Sequence, residues 1–431
     1  MRLLIITYSY PPDLTPRAFR WSAVAMQLIA RGHEVHVLCA SAPGVDAAWD
    51  GVIVHRVSDR LLKGAGRIVG GSTTVRPAGG ARLARLRGWL TQAVRVIWRF
   101  LYWPDFACGW VLPASKAARA LQAAQHFDWV ISSSHPFTGH FVALIAKRKS
   151  LPARWLVDIS DPYCLMPEPS PYNRVLYGAL SRWVEGAVVA RADAISVTTG
   201  ATADLYENVF PGFRRKTRVI GPLLSLPAFP PRSRRSDGIL RLVYIGTLYR
   251  NLRSPAYLLE CFAAIRAAYP DRPMNLHFYG SVNDCAAILG SLPEVVSQCV
   301  VVHGLVSRTS VLQAMVDADV LVNIGNHSEA QLASKVVEYM AVGRPILNLV
   351  SIARDASVTA LADYPAALTL HREPDWRQTG LRPETLRALT NFLFDLPAVS
   401  QMHAQAARMR YAPEQVALQY AEILEGRWGS E

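Results

Sequence analysis

The hydrophobic and polar positions of the chain predict two successive series of buried strands that alternate with amphipathic helices. In the first series, short apolar runs over residues 2–9, 34–40, 128–134 and 154–159 are each followed by a loop and a helical pattern. The second series has such runs over residues 240–246, 274–280, 300–304 and 319–324. Apolar runs of this length, separated by helices, are typical of parallel strands buried in an α/β sheet.

The length of the chain predicts two domains, because 431 residues exceed one ordinary hydrophobic core. Residues 222–238 are rich in Pro, Arg and Ser and separate the two strand series, which indicates an interdomain linker. We therefore predict an N-terminal domain over residues 1–221 and a C-terminal domain over residues 239–410. A last helical segment spans residues 411–431.

The stretch 332–346 predicts a loop, a short helix and a strand. Ser334 stands where a helix cap is expected, and Gly343 fits the left-handed residue that ends a helix. Lys335 and Glu338 lie in the first turns, beside backbone N–H groups that attract phosphate. An ionised carboxylate accepts two hydrogen bonds, which suits a ribose diol. The alternative is a solvated Lys335–Glu338 ion pair without a ligand.

Residues 334–346 read Ser-Lys-x-x-Glu-Tyr-Met-Ala-x-Gly-Arg-Pro-Ile. This run resembles the nucleotide-sugar motif of the retaining family 4 glycosyltransferases, in a form common among polysaccharide-assembly members. The resemblance implies the α/β GT-B fold, in which two doubly wound Rossmann-like domains face a cleft and the last helix crosses back onto the first domain. It implies a hexosyltransferase-type enzyme that moves a sugar from a nucleotide diphosphate sugar to an acceptor hydroxyl, with retention and without a bound metal or cofactor.

The same resemblance assigns donor-binding residues to the C-terminal domain. Gly246 permits close approach of the backbone to the diphosphate, and an arginine of the following loop neutralises its charge. The family often has Arg directly after this glycine, where Thr247 stands here. The charge therefore falls to Lys335 and to Arg250 or Arg253, between which the sequence does not choose.

Two further parts of the donor are expected to meet loops that end strands. The resemblance places the base against the backbone from His303 to Val306. It also places an acidic residue eight positions before Glu338, where this chain has Ala, and Glu329 is one place off. We therefore expect the donor sugar to contact the side chain of Glu329, Asn326 or His327, or the backbone of the same loop, residues 325–330.

Two side chains of the N-terminal domain are candidates for the chemistry. His135 and Asp161 follow buried strands, at the edge where α/β sheets bind ligands. The resemblance implies that His135 forms a hydrogen bond with a hydroxyl of the sugar or of the acceptor. Asp161 lies in a loop that resembles the family's Asp-x-x-Asp-Pro-Trp loop, and the resemblance implies that it orients the acceptor hydroxyl as an acid–base partner. The alternatives are a histidine bonded to backbone and an ordinary Asp-Pro turn.

The first loop departs from the family pattern. The family has a Gly-Gly pair there, whereas this chain has Thr15-Pro16-Arg17. Without the glycines, the backbone of this loop is not expected to contact a ligand directly. We expect Arg17 or Arg20 to bind an anionic part of the acceptor instead. Arginines in contact with solvent at the start of a helix are the alternative.

Charge and apolar patterning suggest a membrane surface as a partner. The net charge is +13, and residues 60–103 hold nine Lys or Arg and no acid. Within them, residues 82–103 form a basic amphipathic pattern with Trp at its margin, which suits an anionic interface. Packing of this stripe on the N-terminal domain is the alternative. No apolar run reaches 18 residues and the opening run is a strand, so we expect neither a spanning helix nor a signal peptide.

The remaining composition limits the function classes. Six scattered cysteines without a Cys-x-x-Cys pair favour a reducing compartment and argue against a metal site. We therefore expect a cytoplasmic protein on the inner face of the membrane, with a lipid-linked or glycan acceptor. No RNA-binding or helix-turn-helix pattern is present, so nucleic acid is not an expected partner. A sugar-nucleotide epimerase of the GT-B fold and a non-catalytic membrane-associated binder remain alternatives.

Overall fold

A computed structural model describes residues 1–13, 15–41, 51–59, 102–150, 153–166, 173–224, 229–233 and 237–427. The chain divides into two compact units. Unit 1 comprises residues 1–221 together with 416–431, and unit 2 comprises residues 222–415. Within these described ranges, no helix is both long and apolar enough to cross a membrane.

Unit 1 is built on a parallel seven-stranded sheet with the strand order β3-β2-β1-β4-β5-β6-β7. Its strands are β1 (Arg2–Ile6), β2 (Glu34–Ala40), β3 (Ile53–Val57), β4 (Trp129–Ser133), β5 (Arg154–Ile159), β6 (Ala194–Val197) and β7 (Thr217–Val219). Its helices up to residue 221 are α1 (Pro16–Ala30), α2 (Val111–Gln125), α3 (Thr138–Ser150), α4 (Arg174–Arg191) and α5 (Gly200–Glu207). The central strands are buried on both faces, which explains their continuous apolar runs.

Unit 2 repeats the plan with a parallel six-stranded sheet of order β10-β9-β8-β11-β12-β13. Its strands are β8 (Leu240–Ile245), β9 (Met274–Tyr279), β10 (Val300–Gly304), β11 (Val320–Ile324), β12 (Ile346–Val350) and β13 (Ala367–His371). Its helices are α6 (Ala256–Ala268), α7 (Ala286–Gly290), α8 (Glu294–Ser297), α9 (Arg308–Asp317), α10 (Ser334–Val342), α11 (Ala356–Leu361), α12 (Trp376–Thr379), α13 (Pro383–Phe394) and α14 (Gln401–Arg410).

The strand order reverses once in each sheet, between β1 and β4 and between β8 and β11. In open α/β sheets, ligands bind outside the carboxyl ends of the strands at such a reversal. Ligand contacts are therefore expected from the loops that follow β1, β4 and β5 in unit 1 and from the loops that follow β8 and β11 in unit 2.

The last helix, α15 (Pro413–Leu424), packs on unit 1. The indole Nε1 of Trp129 donates a hydrogen bond to the carbonyl of Leu424 at 3.0 Å. Tyr420 is completely buried, and its hydroxyl donates to Asp158 at 2.8 Å and accepts from Arg20 at 2.7 Å. The predicted α/β fold, with two doubly wound units and a final helix on the first of them, is confirmed.

Several predicted boundaries shift in the structure. The strand predicted over residues 2–9 ends at Ile6, and α1 begins one residue early because the side chain of Thr15 accepts a hydrogen bond from the Ala18 N–H. Strand β3 and helix α2 were not predicted. Leu224, in the predicted linker, is buried in the core of unit 2. The amphipathic pattern predicted over residues 82–103 lies outside the described residues as far as 101.

Candidate active site

Helix α10 starts differently from the prediction and ends as predicted. Its cap position is Ala333, with no side-chain cap hydrogen bond, so the expected capping by Ser334 is wrong. Ser334 is instead the exposed first residue of the helix. Gly343 ends the helix with φ +76°, the left-handed conformation expected there.

The side chain of Lys335 is buried rather than solvated. It is 8% exposed, and its ammonium nitrogen lies 4.1 Å from the centre of the Tyr244 ring on β8. Among the described residues, this Nζ has no hydrogen-bond partner. Burial holds the pKa of Lys335 well below its ordinary value, and the charge of Arg253 lowers it further. A buried ammonium without a partner is costly unless a ligand supplies the missing acceptor.

Two glycines bring the ends of β8 and β9 together beside this ammonium. A Cβ on Gly246 would lie 3.8 Å from the Lys335 Nζ, and its φ of +131° is one that other residues rarely adopt. A Cβ on Gly280 would lie 2.4 Å from the Gly246 carbonyl oxygen, which no real contact permits. The backbone at Gly246 therefore borders the Lys335 ammonium without an intervening side chain.

The structure separates the two candidate arginines of the following loop. The Arg253 Nε donates to the Asn326 side-chain oxygen at 2.7 Å, and its charge acts on Lys335. Arg250 is exposed and donates to Asp284, from its backbone N–H at 2.9 Å and from its guanidinium at 3.4 Å. Arg253 and Lys335 thus lie together, whereas Arg250 is engaged elsewhere.

Asp355 is a site residue that the sequence analysis missed. It is 1% exposed; its Oδ1 accepts from the Ser357 N–H at 3.0 Å, while its Oδ2 has no partner among the described residues. A Cβ on Gly325 would lie 2.7 Å from that Oδ2. The charge of Asp355 raises the pKa of Lys335, against the larger effect of burial. Its only sequence signal is the Asp-x-Ser start of α11.

Glu338 does not pair with Lys335. Its carboxylate accepts hydrogen bonds from the two terminal nitrogens of the Arg308 guanidinium, Nη2 at 2.6 Å and Nη1 at 3.3 Å. The side chain of Glu338 is 14% exposed. The alternative of a solvated Lys335–Glu338 pair is therefore wrong. Arg308 holds the carboxylate in a fixed orientation one turn into α10, next to the start of the helix.

The remaining donor-side candidates fall into two groups. His303 stacks on Tyr279, with ring centres 4.0 Å apart and planes 5° apart, and Val306 is partly exposed after it. Burial lowers the pKa of His303, which favours the neutral ring.

In the loop after β11, Asn326 is buried and holds Arg253, as described above, while its amide nitrogen donates to the Gln331 carbonyl at 3.0 Å. His327 bonds Ser351 through Nδ1 at 2.7 Å. Glu329 is exposed and lies 3.6 Å from the exposed guanidinium of Arg354. Asn326 therefore supports the arginine, whereas Glu329 stands at the surface.

In unit 1, His135 follows β4 and Asp161 follows β5. Burial lowers the pKa of His135, while the charges of Asp105 and Asp161 raise it and that of Arg17 lowers it. Arg17 donates to the Ser160 hydroxyl and to the Asp161 carboxylate, the latter at 3.1 Å. The structure thus brings His135, Asp161 and Arg17 into one electrostatic cluster at the carboxyl edge of the sheet.

Asp105 belongs to this cluster and was also missed. It is 1% exposed and accepts from the backbone and side chain of Thr138, at 2.8 and 2.7 Å, and from the Ala107 N–H at 2.9 Å. Burial raises its pKa. It fixes Thr138 at the start of α3, and only Pro136 and Phe137 separate this residue from His135. Nothing in the local sequence distinguishes this aspartate from an ordinary loop residue.

Arg20 does not face the candidate site. It is 4% exposed and donates to the carbonyls of Ile220 and Gly221 as well as to Tyr420. The expectation that it contacts an acceptor is therefore wrong, because its charge is used inside unit 1. His140 is buried in unit 1: its Nδ1 forms a hydrogen bond with the Ser132 hydroxyl at 2.8 Å, and burial lowers its pKa to about 3.

Two models of glycosyltransferase families match the chain. A model described as glycosyl transferase 4-like domain matches residues 18–222, and one described as glycosyl transferases group 1 matches residues 240–356. The chain belongs to the family 4 type of glycosyltransferases. The predicted family and the predicted hexosyltransferase-type enzyme are confirmed at this level. A search of curated protein sequences finds no match.

Solved structures share the fold of this glycosyltransferase at low sequence identity. The apo form of the lipopolysaccharide outer core galactosyltransferase WaaB has 11% identity and a TM-score of 0.62, over 99% of this chain and 100% of that chain. The apo structure of OtsA has 10% identity and a TM-score of 0.65, over 98% and 99%. A putative UDP-N-acetylglucosamine 2-epimerase from Listeria monocytogenes has 12% identity and a TM-score of 0.51, over 99% and 96%.

Each unit of this glycosyltransferase therefore has a candidate site of its own. In unit 2, Lys335, Arg253 and the start of α10 present positive charge beside a glycine backbone, with Glu338 held one turn further on. In unit 1, a largely buried imidazole and a carboxylate lie at a sheet edge. Over the described ranges, no group of three or more His, Cys, Asp or Glu is arranged to hold a metal ion.

Proposed function

We propose that this glycosyltransferase takes a nucleotide diphosphate sugar as its donor and that unit 2 binds it. The observation that carries the proposal is the buried Lys335 ammonium, which lacks a hydrogen-bond partner in the described structure. A diphosphate supplies several charged acceptors, and the neighbouring Arg253 and the first N–H groups of α10 add donors. Gly246 lets the phosphate approach the backbone.

The other donor contacts follow from the same placement. The Glu338 carboxylate accepts hydrogen bonds from the two hydroxyls of the ribose. A carboxylate has about four acceptor positions, and Arg308 occupies only some of them. The flat surface of His303 and the backbone up to Val306 receives the base. Asn326, His327 and backbone of the loop after β11 contact the sugar. The surface position and ion pair of Glu329 make it the weakest of these candidates.

The acceptor side rests on unit 1. His135 has a lowered pKa, so its neutral imidazole hydrogen-bonds a hydroxyl of the sugar or acceptor near neutral pH. Asp161 orients the acceptor hydroxyl, and Arg17 holds the Asp161 carboxylate. Retention at the anomeric carbon and an acceptor that is lipid-linked or a glycan come from the family resemblance. The peripheral cytoplasmic location rests on residues 82–103.

Charge on the leaving diphosphate grows during transfer, and in this proposal it is met by Lys335, Arg253 and the amides at the start of α10 without a metal. Interactions that strengthen in the transition state raise turnover more than they raise donor affinity. Substitution of Lys335 or Arg253 is therefore expected to lower kcat more than it raises the donor KM. Equal losses in both quantities for both variants would contradict this role.

A thermal-shift panel of UDP-, GDP-, ADP- and dTDP-sugars tests the donor proposal. A ligand that binds only the folded state raises the melting temperature, and we expect one base class to do so. The shift should disappear in Lys335→Met and persist in Lys116→Met, which changes an exposed lysine of unit 1. A panel with no shift, or an equal shift in both variants, would overturn the proposal.

Assay of the donor alone separates transfer from epimerisation, the alternative for which the Listeria neighbour provides the fold. Transfer requires an acceptor, whereas an epimerase converts the nucleotide sugar without one. We expect conversion only when an acceptor hydroxyl is present. The anomeric configuration of the product, read by proton NMR, tests retention.

A further inference from the structure

Helix α4 exposes a stripe of large apolar side chains. Val175 is fully exposed, and Leu176, Leu180 and Trp183 are 58%, 41% and 63% exposed. Leu176, Leu180 and Trp183 lie on one side of the helix, because residues three to four apart are neighbours on a helix surface, and Val175 lies at the edge of that side in the first turn. Single exposed apolar residues are ordinary, whereas a contiguous stripe that includes Trp marks an interaction surface.

The charges of α4 on the exposed side are all positive. They are Arg182 and Arg191, which are both exposed. The third arginine of the helix, Arg174, is half-buried and lies on the side away from Leu176. The acid of the helix, Glu185, is 2% exposed and points inward, where it accepts hydrogen bonds from the Cys164 N–H and the Tyr206 hydroxyl. The stripe is therefore bordered by cations without an acid of the same helix beside them.

The two exposed arginines border the stripe, Arg182 along one edge and Arg191 near the end of the helix. Arginine presents a fork of donors that matches phosphate oxygens. Exposed apolar side chains bordered by arginines suit a surface in which hydrocarbon and phosphate groups are joined.

We propose that the exposed face of α4 docks on the surface of an anionic lipid bilayer. The apolar stripe enters the interface, Trp183 lies at the level of the headgroups, and Arg182 and Arg191 bind lipid phosphates. Nucleic acid would leave four exposed aliphatic and aromatic side chains without a role. The proposal is independent of sugar transfer, and it concerns a different part of the chain from residues 82–103.

Flotation of the full chain with vesicles tests the proposal. The vesicles contain either phosphatidylcholine alone or equal parts of phosphatidylcholine and phosphatidylglycerol, and no donor is added. We expect binding to the anionic vesicles and at least about ten-fold weaker binding when Leu176, Leu180 and Trp183 are all replaced by Ser. The matched control replaces Val295, Met402 and Met409 by Ser, which removes three apolar side chains of unit 2 that are at least as exposed, and it should leave vesicle binding unchanged.

Two further variants probe the charge of the surface. Val175→Asp adds a negative charge at the second residue of α4, where the helix dipole favours it, so folding is preserved while the anionic surface is repelled. Arg182→Ala combined with Arg191→Ala should weaken binding by about five-fold per arginine. The control for this pair is Arg387→Ala combined with Arg410→Ala, two exposed arginines of unit 2.

Three results would overturn the proposal. The first is unchanged vesicle binding for both the triple Ser variant and Val175→Asp. The second is binding that responds only to replacement of Trp89, Ile97 and Leu101 by Ser, which would assign the membrane contact to the sequence 82–101. The third is a triple Ser variant whose oligomeric state in sedimentation differs from that of the wild type while its flotation with vesicles is unchanged. That result would identify the stripe as a contact between copies of the chain.

Discussion

Lys335→Met is the most informative single change, because it should stabilise the free protein while it weakens donor binding. Methionine is an unbranched side chain of similar length and carries no charge, so it can fill most of the buried space that Lys335 occupies beside Tyr244. Removing a buried ammonium that lacks a hydrogen bond should stabilise unit 2 by about 1–3 kcal/mol near pH 7.

The pH dependence fixes the sign of this effect. The pKa of Lys335 in the folded protein is well below its value of about 10.4 in the unfolded chain. Between these two values the unfolded state binds more protons, so the stability of the wild type rises with pH in that window. The penalty is complete below the folded pKa and disappears by about pH 10.4. The advantage of Lys335→Met should therefore shrink as the pH rises from 7 to 10.

Donor binding should show the opposite sign. Each hydrogen bond to a charged group contributes about 1.5–3 kcal/mol, so losing the ammonium should weaken binding about ten- to 150-fold. Phosphate beside Lys335 also raises its pKa, and the wild type should take up a proton on binding. Calorimetry in buffers of different ionisation enthalpy measures that uptake, which Lys335→Met should lack.

Melting temperatures of wild type, Lys335→Met and Lys116→Met from pH 7 to 10, with and without donor, complete the assay. Lys116→Met should follow the wild type throughout. Equal melting temperatures for all three proteins without donor, together with unchanged donor affinity, would refute the reasoning. Such a result would mean that the ammonium is neither penalised in the free protein nor used by the ligand.

Four other changes have defined outcomes. Arg253→Ala should lower kcat/KM for the donor about ten- to 100-fold, whereas Arg250→Ala should change it less than about three-fold; steady-state kinetics decide between them. Glu338→Gln should weaken donor binding about ten-fold in titration calorimetry, because a neutral amide is a poorer acceptor for a diol. Since the pKa of His135 is lowered, kcat/KM should fall only below about pH 6.5, and His135→Asn should abolish that acid limb in the pH profile. Tyr420→Phe should cost about 1–3 kcal/mol in chemical unfolding, because its two buried charged partners each lose a hydrogen bond.

The architecture was accessible from the sequence because its signals are local. Buried parallel strands are continuous apolar runs, and the bounds of the strands over residues 34–40, 154–159 and 300–304 agree with the structure. Gly343 ends α10 through its own backbone conformation, which a reader of the sequence can anticipate. The family motif begins and ends within one loop, helix and strand, so its identification needed no knowledge of distant contacts.

The site details that escaped prediction depend on partners far along the chain. The sequence leaves open a solvated Lys335, but the ammonium of this lysine lies over the ring of Tyr244, which belongs to strand β8. In the sequence, Arg20 is a candidate contact because it lies in the first turns of a helix that follows a ligand-binding loop. Its partner Tyr420 lies 400 residues further on. Asp105 likewise gains its importance only from Thr138.

The placement of α15 has a consequence for how the protein is made. Unit 1 takes its final helix from the end of the chain, and the buried Trp129 and Arg20 find partners there. A growing chain that has emerged from the ribosome only as far as residue 221 lacks those partners. We therefore expect the first unit to wait, incompletely closed, until synthesis of the second is finished, and a fragment 1–221 produced alone to aggregate.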